Sequence, residues 1–163
     1  MRYLTEYNIF NLLASLPYFY SVGGDVPSFF QSLSSLSLPE GRLQKINERP
    51  IYIDYAHTPH ALEQACKSLK NHENKLILVF GAGGDRDTGK RKQMGEVADK
   101  YADEIIVTSD NPRNEDPAKI ADMIIDGISN ESKIHIELDR SKAISRAIDK
   151  MDGTSTLLVC GKG

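Results

Sequence analysis

The segment 54–59, Asp-Tyr-Ala-His-Thr-Pro, places an acid and a histidine directly after a short run of β-favouring residues. Thr58 and Pro59 are predicted to be the cap and the first residue of a helix. A threonine oxygen can accept backbone N–H groups there, and proline lacks the N–H that would go unused. Asp54 and His57 therefore lie where a strand gives way to a helix N-terminus, a place that suits a nucleotide. The alternative is that Asp54 only caps the helix and His57 is an ordinary loop histidine.

A glycine-rich segment, residues 81–92, follows the next apolar run and carries several positive charges. The spacing from Gly84 to Gly89 and Lys90 imitates a phosphate-binding P-loop, but Arg91 stands where that motif needs a Ser or Thr to hold magnesium. We therefore reject a P-loop here, and a nucleotide-binding protein built on this segment is the least favoured of the alternatives. The remaining interpretation is a flexible cationic loop for carboxylates or phosphates, and the alternative is a solvated turn before a helix. The cations are Arg86, Lys90, Arg91 and Lys92.

Residues 110–113, Asp-Asn-Pro-Arg, follow a third apolar run. Pro112 restricts Asn111 to extended backbone, so this segment is predicted to be a stiff loop rather than a helix. An acid, an amide and a guanidinium are thus held close together. A zwitterionic amino acid needs such a set, because its ammonium group requires an anion and its carboxylate suits an arginine. A plain polar turn is the alternative, since Asn-Pro is common in turns.

Strand and helix patterns alternate between these segments, which predicts an α/β fold with a doubly wound, mostly parallel sheet. In such a sheet the sites lie at the carboxyl ends of the strands, so the three segments should meet at one edge. The predicted strands are residues 51–55, 76–80, 105–108, 134–138 and 156–160. The predicted helices carry apolar stripes at residues 62–69, 94–101, 120–128 and 143–148, and Asp116-Pro117 is predicted to open the third of them.

The first forty residues lack this alternation and are predicted to form two short helices, residues 8–16 and 26–36, separated by Gly23-Gly24. The segment 39–41, Pro-Glu-Gly, predicts a boundary, so we divide the chain into residues 1–40 and residues 41–163. The apolar side chains of the first part would ordinarily pack on a sheet, and we expect them to be exposed or to cause self-association. They are Phe10, Leu12, Leu13, Phe29 and Phe30.

The composition argues against several classes of protein. Lys and Arg number 20 and Asp and Glu number 23, and a net charge of -3 is unlike that of a general nucleic-acid binder. No stretch approaches the roughly 20 apolar residues of a membrane span, and the N-terminus lacks the pattern of a secretion signal. We therefore expect a soluble cytoplasmic protein. Cys66 and Cys160 match no metal-ligand spacing and are predicted to be small buried hydrophobes.

The motifs, and the order in which they follow one another along the chain, resemble those of the MurE-type Mur ligases. These are UDP-N-acetylmuramoyl-dipeptide:amino-acid ligases. The matching segments are residues 54–59, 83–91, 110–113 and the closing Gly161-Lys162-Gly163. Gly41-Arg42 resembles the junction between the family's central and C-terminal domains, and Asn8 and Asn11 resemble paired asparagines near the end of the central domain. The segment 110–113 is the most specific, because in this family it marks enzymes that add meso-diaminopimelate rather than lysine.

The resemblance implies binding roles for two sets of residues. One set would bind meso-diaminopimelate, with Arg113 gripping its distal carboxylate: Arg86, Asp110, Asn111, Pro112, Arg113 and Gly161. The other set would contact ATP: Arg42, Asp54, His57, Asn8 and Asn11. No catalytic residue and no metal ligand is assigned to this chain, because the central domain mainly holds the ATP phosphates and Mg²⁺ in this family.

The resemblance also implies a reaction. ATP would phosphorylate the carboxylate of UDP-N-acetylmuramoyl-L-Ala-D-Glu, and the amine of meso-diaminopimelate would attack the acyl phosphate to give an amide. Family members have three domains and more than twice this length, so we expect the chain alone to be inactive and its N-terminal and central domains, supplied in trans, to be candidate partners. The alternatives are the domain of another Mur or folylpolyglutamate-type ligase, and a non-catalytic remnant or binding module.

Overall fold

The computed structural model describes residues 6–33, 39–46 and 48–161, with side chains in the first helix from Ile9 onward. The chain divides into two compact units, Met1–Pro39 and Glu40–Gly163. The interpretation of the first unit as the end of a central domain stays a prediction. Lys162 and Gly163 of the closing motif, and the last residues of the predicted helix 26–36, lie outside the described residues.

The described part of the first unit is helical, with α1 spanning Glu6–Ser21 and α2 spanning Val26–Ser32. The α1 helix is longer than predicted and continues through Pro17 to Ser21. The α2 helix begins at a strong cap, because Asp25 accepts the Ser28 amide at 2.8 Å.

One expectation about the first unit is wrong. Phe29 is buried, because its ring packs edge-on against Phe19 with 5.5 Å between the centroids. Phe10, Leu13 and Phe30 are exposed as expected, whereas Leu12 is half-buried.

The described residues of the second unit form a six-stranded sheet with the order β1-β2-β6-β3-β4-β5. The strands are β1 Gln44–Lys45, β2 Ile51–Asp54, β3 Lys75–Phe80, β4 Glu104–Val107, β5 Ile134–Ile136 and β6 Ser155–Cys160. All neighbours are parallel except β1, which runs antiparallel to β2. The prediction of a mostly parallel α/β sheet is confirmed. The β1 strand was not predicted, because two residues are too short to show an alternating pattern.

Helices cover both faces of this sheet. They are α3 Pro59–Leu69, α4 Gly89–Tyr101, α5 Pro117–Ile125 and α6 Arg140–Asp149. Leu78 and Phe80 of β3 face the layer of α3, α4 and α5, whereas Ile77 and Val79 face α6. Since β3 is buried on both faces, its sequence is a continuous apolar run.

Caps fix where two of the site helices begin. The hydroxyl of Thr58 accepts the Ala61 amide at 3.2 Å, and the carboxylate of Asp116 accepts the Ala118 amide at 2.9 Å. Proline is the next residue in both helices. Both starts agree with the sequence prediction, although α5 ends at Ile125 and Ile128 lies beyond it in a buried turn.

Candidate functional site

The loops after β2, β3 and β4 meet the end of β6 at the carboxyl edge of the sheet. They enclose a pocket of about 530 Å³. Its lining residues are Tyr55, His57, Thr58, Ala82, Gly83, Arg86, Asp87, Lys90, Arg91, Met94, Asp110, Asn111, Arg113 and Gly161. The topology therefore brings three separate polar segments of the sequence to one site, as expected for a parallel sheet.

Asp54 is buried beneath the loop after β2 rather than open to the pocket. Its two carboxylate oxygens accept the amides of Leu43 and Ala56, each at 2.8 Å. Burial raises the pKa of Asp54, and the two backbone amides partly oppose that rise. Asp54 thus fastens the segment before β1 to the loop after β2. A direct contact of its carboxylate with nucleotide would require these bonds to change.

The neighbours of Asp54 hold the same junction. The Tyr55 amide donates to the carbonyl of Gly41 at 2.8 Å, and a Cβ at Gly41 would lie 2.4 Å from the Tyr55 ring. Arg42 is exposed beside this contact and is not among the residues that line the pocket. His57 does line the pocket, and its Nδ1 lies 2.9 Å from the carbonyl of Tyr55.

The loops after β3 and β4 touch backbone to backbone. A Cβ at Gly81 would lie 2.2 Å from the carbonyl oxygen of Thr108, and one at Gly84 would lie 1.9 Å from that of Pro112. The Gly84 amide also donates to the carbonyl of Asn111 at 2.8 Å. The glycines of this segment therefore permit close approach of two loops, which is a different use from cradling a phosphate.

Arg113 stands at the wall of the pocket in a left-handed backbone conformation, with φ of 50°. Its Nη1 donates to the carbonyl of Gly84, which fixes the guanidinium over the neighbouring loop. Asn111 and Arg86 also line the pocket. Pro112 does not line it, and its carbonyl group instead lies against Gly84.

Gly161 and Asp110 lie next to each other in the pocket lining. Gly161 has φ of +99°, and a Cβ there would lie 3.1 Å from Oδ2 of Asp110. A side chain at position 161 would therefore crowd the carboxylate. The pocket thus combines an anion, Asp110, with cations from Arg86 and Arg113.

The family follows from comparison with known proteins. The protein-family model described as "Mur ligase, glutamate ligase domain" matches residues 41–163. The chain belongs to the Mur ligase family. This confirms the family expected from the motifs, and the matched range includes every loop that builds the pocket.

Two curated relatives of this chain share the same name. The chain is 44% identical over 156 residues to the UDP-N-acetylmuramoyl-L-alanyl-D-glutamate--2,6-diaminopimelate ligase of Rickettsia bellii, covering 94% of the chain and 33% of that protein. It is 42% identical to the protein of the same name from Aquifex aeolicus, covering 97% of the chain and 33% of the relative. The chain therefore spans about a third of the length of the relatives it matches.

Solved structures agree with the fold of this Mur ligase chain. A structure of a UDP-N-acetylmuramoyl-L-alanyl-D-glutamate--2,6-diaminopimelate ligase superposes with a TM-score of 0.72 at 38% identity, covering 98% of this chain and 34% of that one. The FolC protein of E. coli in complex with ADP superposes with a TM-score of 0.73 at 19% identity, covering 99% of this chain and 38% of that one. The second likeness shows a shared fold.

Arg91 corrects the expectation of a loop of free cations. It is 1% exposed, and its two Nη atoms donate to the two carboxylate oxygens of Glu115, each at 2.7 Å. This pairing with Arg91 lowers the pKa of Glu115 to about 2. The residue that spoils the P-loop motif in this Mur ligase is therefore a buried tie between two site loops. No local pattern in the sequence indicated its partner 24 residues away.

A second residue that sequence reasoning missed is Arg140, at the start of α6. Its Nη2 donates to the carbonyl of Cys160 at 3.0 Å, one residue before Gly161. Burial lowers the pKa of Arg140, and the charge of Asp110 opposes that effect. The sequence signal that could have located Arg140 is the preceding Asp139, which caps α6 by accepting two backbone amides.

The remaining predicted ATP contacts lie in the first unit. Asn11 is an exposed residue of α1, and the side chain of Asn8 lies outside the described residues. Both stay predictions.

Within the described part of the chain, no group of three or more His, Cys, Asp or Glu residues could hold a metal ion. No described helix is long and apolar enough to cross a membrane. Cys66 and Cys160 are buried free thiols, in agreement with their predicted role as small core residues.

Proposed function

We propose that this chain is the amino-acid-binding part of an ATP-dependent ligase that adds meso-diaminopimelate to UDP-N-acetylmuramoyl-L-Ala-D-Glu in peptidoglycan synthesis in the cytoplasm. The observation that carries the proposal is the joining of Asp110, Arg86 and Arg113 in one pocket. The names of the relatives support the same amino acid.

The charges of the pocket suit a ligand with both an ammonium group and carboxylates. We propose that Asp110 attracts an ammonium group of meso-diaminopimelate and that Arg113 and Arg86 bind its distal carboxylate. Asn111 offers an amide at the same wall, and Gly161 leaves the space that a side chain would take. These residues would hold the reacting amine in position, and positioning is a large part of catalysis in group transfer.

We include ATP and Mg²⁺ in the proposal because the chain belongs to the Mur ligase family. His57 at the pocket and exposed Arg42 have the chemistry to contact a nucleotide, whereas the described residues offer no acidic cluster for a metal. We therefore propose Arg42, His57, Asn8 and Asn11 as nucleotide contacts. Asp54 would serve as their support, and we assign no residue of the described part to the metal.

The proposal is tested by titrating the ¹⁵N-labelled chain with meso-diaminopimelate and, separately, with L-lysine, which lacks the distal carboxylate. We expect shifts in the amides of Arg86, Gly161 and residues 110–113 with meso-diaminopimelate, and much weaker ones with lysine. Arg113→Ala should weaken binding roughly 10-fold or more, because a charged hydrogen-bonded pair contributes about 1.5–3 kcal/mol. The matched control is Arg146→Ala, an exposed arginine on α6 outside the pocket.

Equal affinity for lysine and meso-diaminopimelate would refute the proposed specificity. Shifts spread over surfaces remote from the pocket would refute the proposed site. An Arg113→Ala variant that binds meso-diaminopimelate like the wild-type chain would show that Arg113 does not bind the distal carboxylate.

A further inference from the structure

The two loops that carry Arg86 and Arg113 are joined by a half-buried ion pair between Arg91 and Glu115. Neither residue is among those proposed to touch the ligand, although Arg91 reaches the pocket lining. Arg91 lies in the first turn of α4, and Glu115 lies in the loop after β4. The fork of Arg91 donates to both oxygens of Glu115, and its Nη2 also donates to the carbonyl of Gly83 at 3.2 Å. A bidentate pair of this kind fixes direction as well as distance.

Glu115 passes this constraint to both loops. Its Oε1 also accepts the amide of Asp85, and its own amide donates to the carbonyl of Pro112 at 2.9 Å. Asp85 in turn accepts the side-chain amide of Asn114 at 2.8 Å. Glu115 therefore closes the turn that contains Arg113 and holds the loop after β3 against it.

The position of Arg91 depends on these bonds. The side chain is 1% exposed, and among the described residues its Nε has no hydrogen-bond partner. Its Nη atoms therefore define its orientation. A lysine in this place would keep the charge but lose the fork.

We propose that Arg91 and Glu115 are positioning residues that set the distance between Arg113 and the loop carrying Arg86, and so tune the site for an amino acid with a second carboxylate. This inference rests on the proposed function. Placement matters at this level, because a displacement of about 1 Å can cost up to roughly 100-fold in the effectiveness of a site. Removal of the pair should loosen the grip on the distal carboxylate and leave the contacts at Asp110 and Gly161.

The test is a double-mutant cycle between Glu115→Gln and Arg113→Ala, read as the dissociation constant for meso-diaminopimelate. Glu115→Gln should weaken binding roughly 10-fold in the wild-type background, because a loosened loop must be ordered on binding. It should change binding less than about 2-fold when Arg113 is already absent, since residues that act together are not additive. Arg91→Lys should behave like Glu115→Gln.

Matched controls separate positioning from a general loss of stability. Glu96→Gln removes one negative charge from an exposed position of α4, and Arg146→Lys makes the same exchange as Arg91→Lys on the exposed side of α6. Both should bind like the wild-type chain. Core amide signals of β3 and β6 report whether each variant is folded, and Arg91→Lys provides the second route if Glu115→Gln does not fold.

The outcomes distinguish the two proposals. Independent effects in the cycle, with each variant folded, would overturn the positioning role while leaving the binding site in place. Absence of meso-diaminopimelate binding by the wild-type chain would count against the proposed function instead. Hydrogen exchange of the Gly84 and Asp85 amides in the free chain then decides the inference, because Glu115→Gln must accelerate it if the pair holds the loops together.

Discussion

Gly84→Ala tests whether the site depends on direct contact between two loop backbones. The new Cβ would lie 1.9 Å from the carbonyl oxygen of Pro112 and 2.6 Å from its carbon. An ordinary contact begins near 3.4 Å, so the loops must separate by more than an ångström. A flexible side chain cannot relieve this clash, because both atoms belong to the backbone.

The expected cost is at the upper end of the range for overpacking. Inserted methyl groups usually lower the free energy of unfolding by about 1–3 kcal/mol, and we expect about 2–3 kcal/mol here. The separation would also strain the bond from the Gly84 amide to Asn111 and the bond from Arg113 to the Gly84 carbonyl. The affinity for meso-diaminopimelate should therefore fall together with stability.

Gly153→Ala is the matched control. A Cβ at Gly153 would meet nothing within 4 Å, and its φ lies outside the left-handed region. Alanine there should leave stability unchanged or raise it by up to about 1 kcal/mol, because it restricts the unfolded chain. The assay is urea unfolding followed through amide signals of β3 and β6, which report on the second unit. A Gly84→Ala variant as stable as Gly153→Ala, with unchanged ligand affinity, would refute the packing argument.

Three further outcomes are expected. Asp54→Asn should lower the free energy of unfolding by about 1–3 kcal/mol in urea titrations, because the side-chain NH₂ must face a backbone donor of Leu43 or Ala56. The folded pKa of Glu115 is about 2 against an ordinary 4.5, so its stabilising contribution is complete above pH 4.5 and is lost as pH falls towards 2. The stability difference between the wild-type chain and Glu115→Gln should shrink over that window. Cys66 and Cys160 should resist alkylation until denaturant is added, since burial raises the pKa of Cys66 to about 12 and that of Cys160 well above its usual value.

Each of these expectations has a contradicting result. Unchanged exchange of the Leu43 and Ala56 amides in Asp54→Asn would mean that the carboxylate is not the anchor of that junction. A stability difference between the wild-type chain and Glu115→Gln that stays constant down to pH 2 would show that the ionised carboxylate of Glu115 does not stabilise the fold through Arg91. Rapid labelling of either thiol in the native chain would show that the core opens around α3 and β6.

The alternation of apolar runs and helical stripes was sufficient to predict the parallel sheet and the meeting of three loops. A strand buried on both faces must be apolar throughout, as in β3, and this signal survives without knowledge of its neighbours. Thr58 and Asp116, each followed by proline, marked helix starts for a local reason, because a cap bonds only to amides two or three residues away.

Contacts between distant residues were not predictable in this way. The charge of Arg91 suggested a free anion site, yet the half-buried carboxylate of Glu115 pairs with it. Phe29 looked like an exposed aromatic residue until α1 and α2 brought Phe19 against it. The chemical type of both residues was evident from the sequence. Whether each side chain is exposed or paired was decided by a neighbour on another element of the fold.

The sequence by itself determined the fold class, the caps and the polar content of the loops, since these depend on period and on residues close along the chain. Only the tertiary structure decided which polar groups face the pocket and which support it. Asp110 and Arg113 line the pocket. Asp54 is buried and bonded outside the lining, and Arg91, which does reach the lining, is buried and bonded to Glu115. The reason is physical: an ionised side chain can be buried only where the fold supplies its hydrogen-bond partners, and that supply is set by packing in three dimensions.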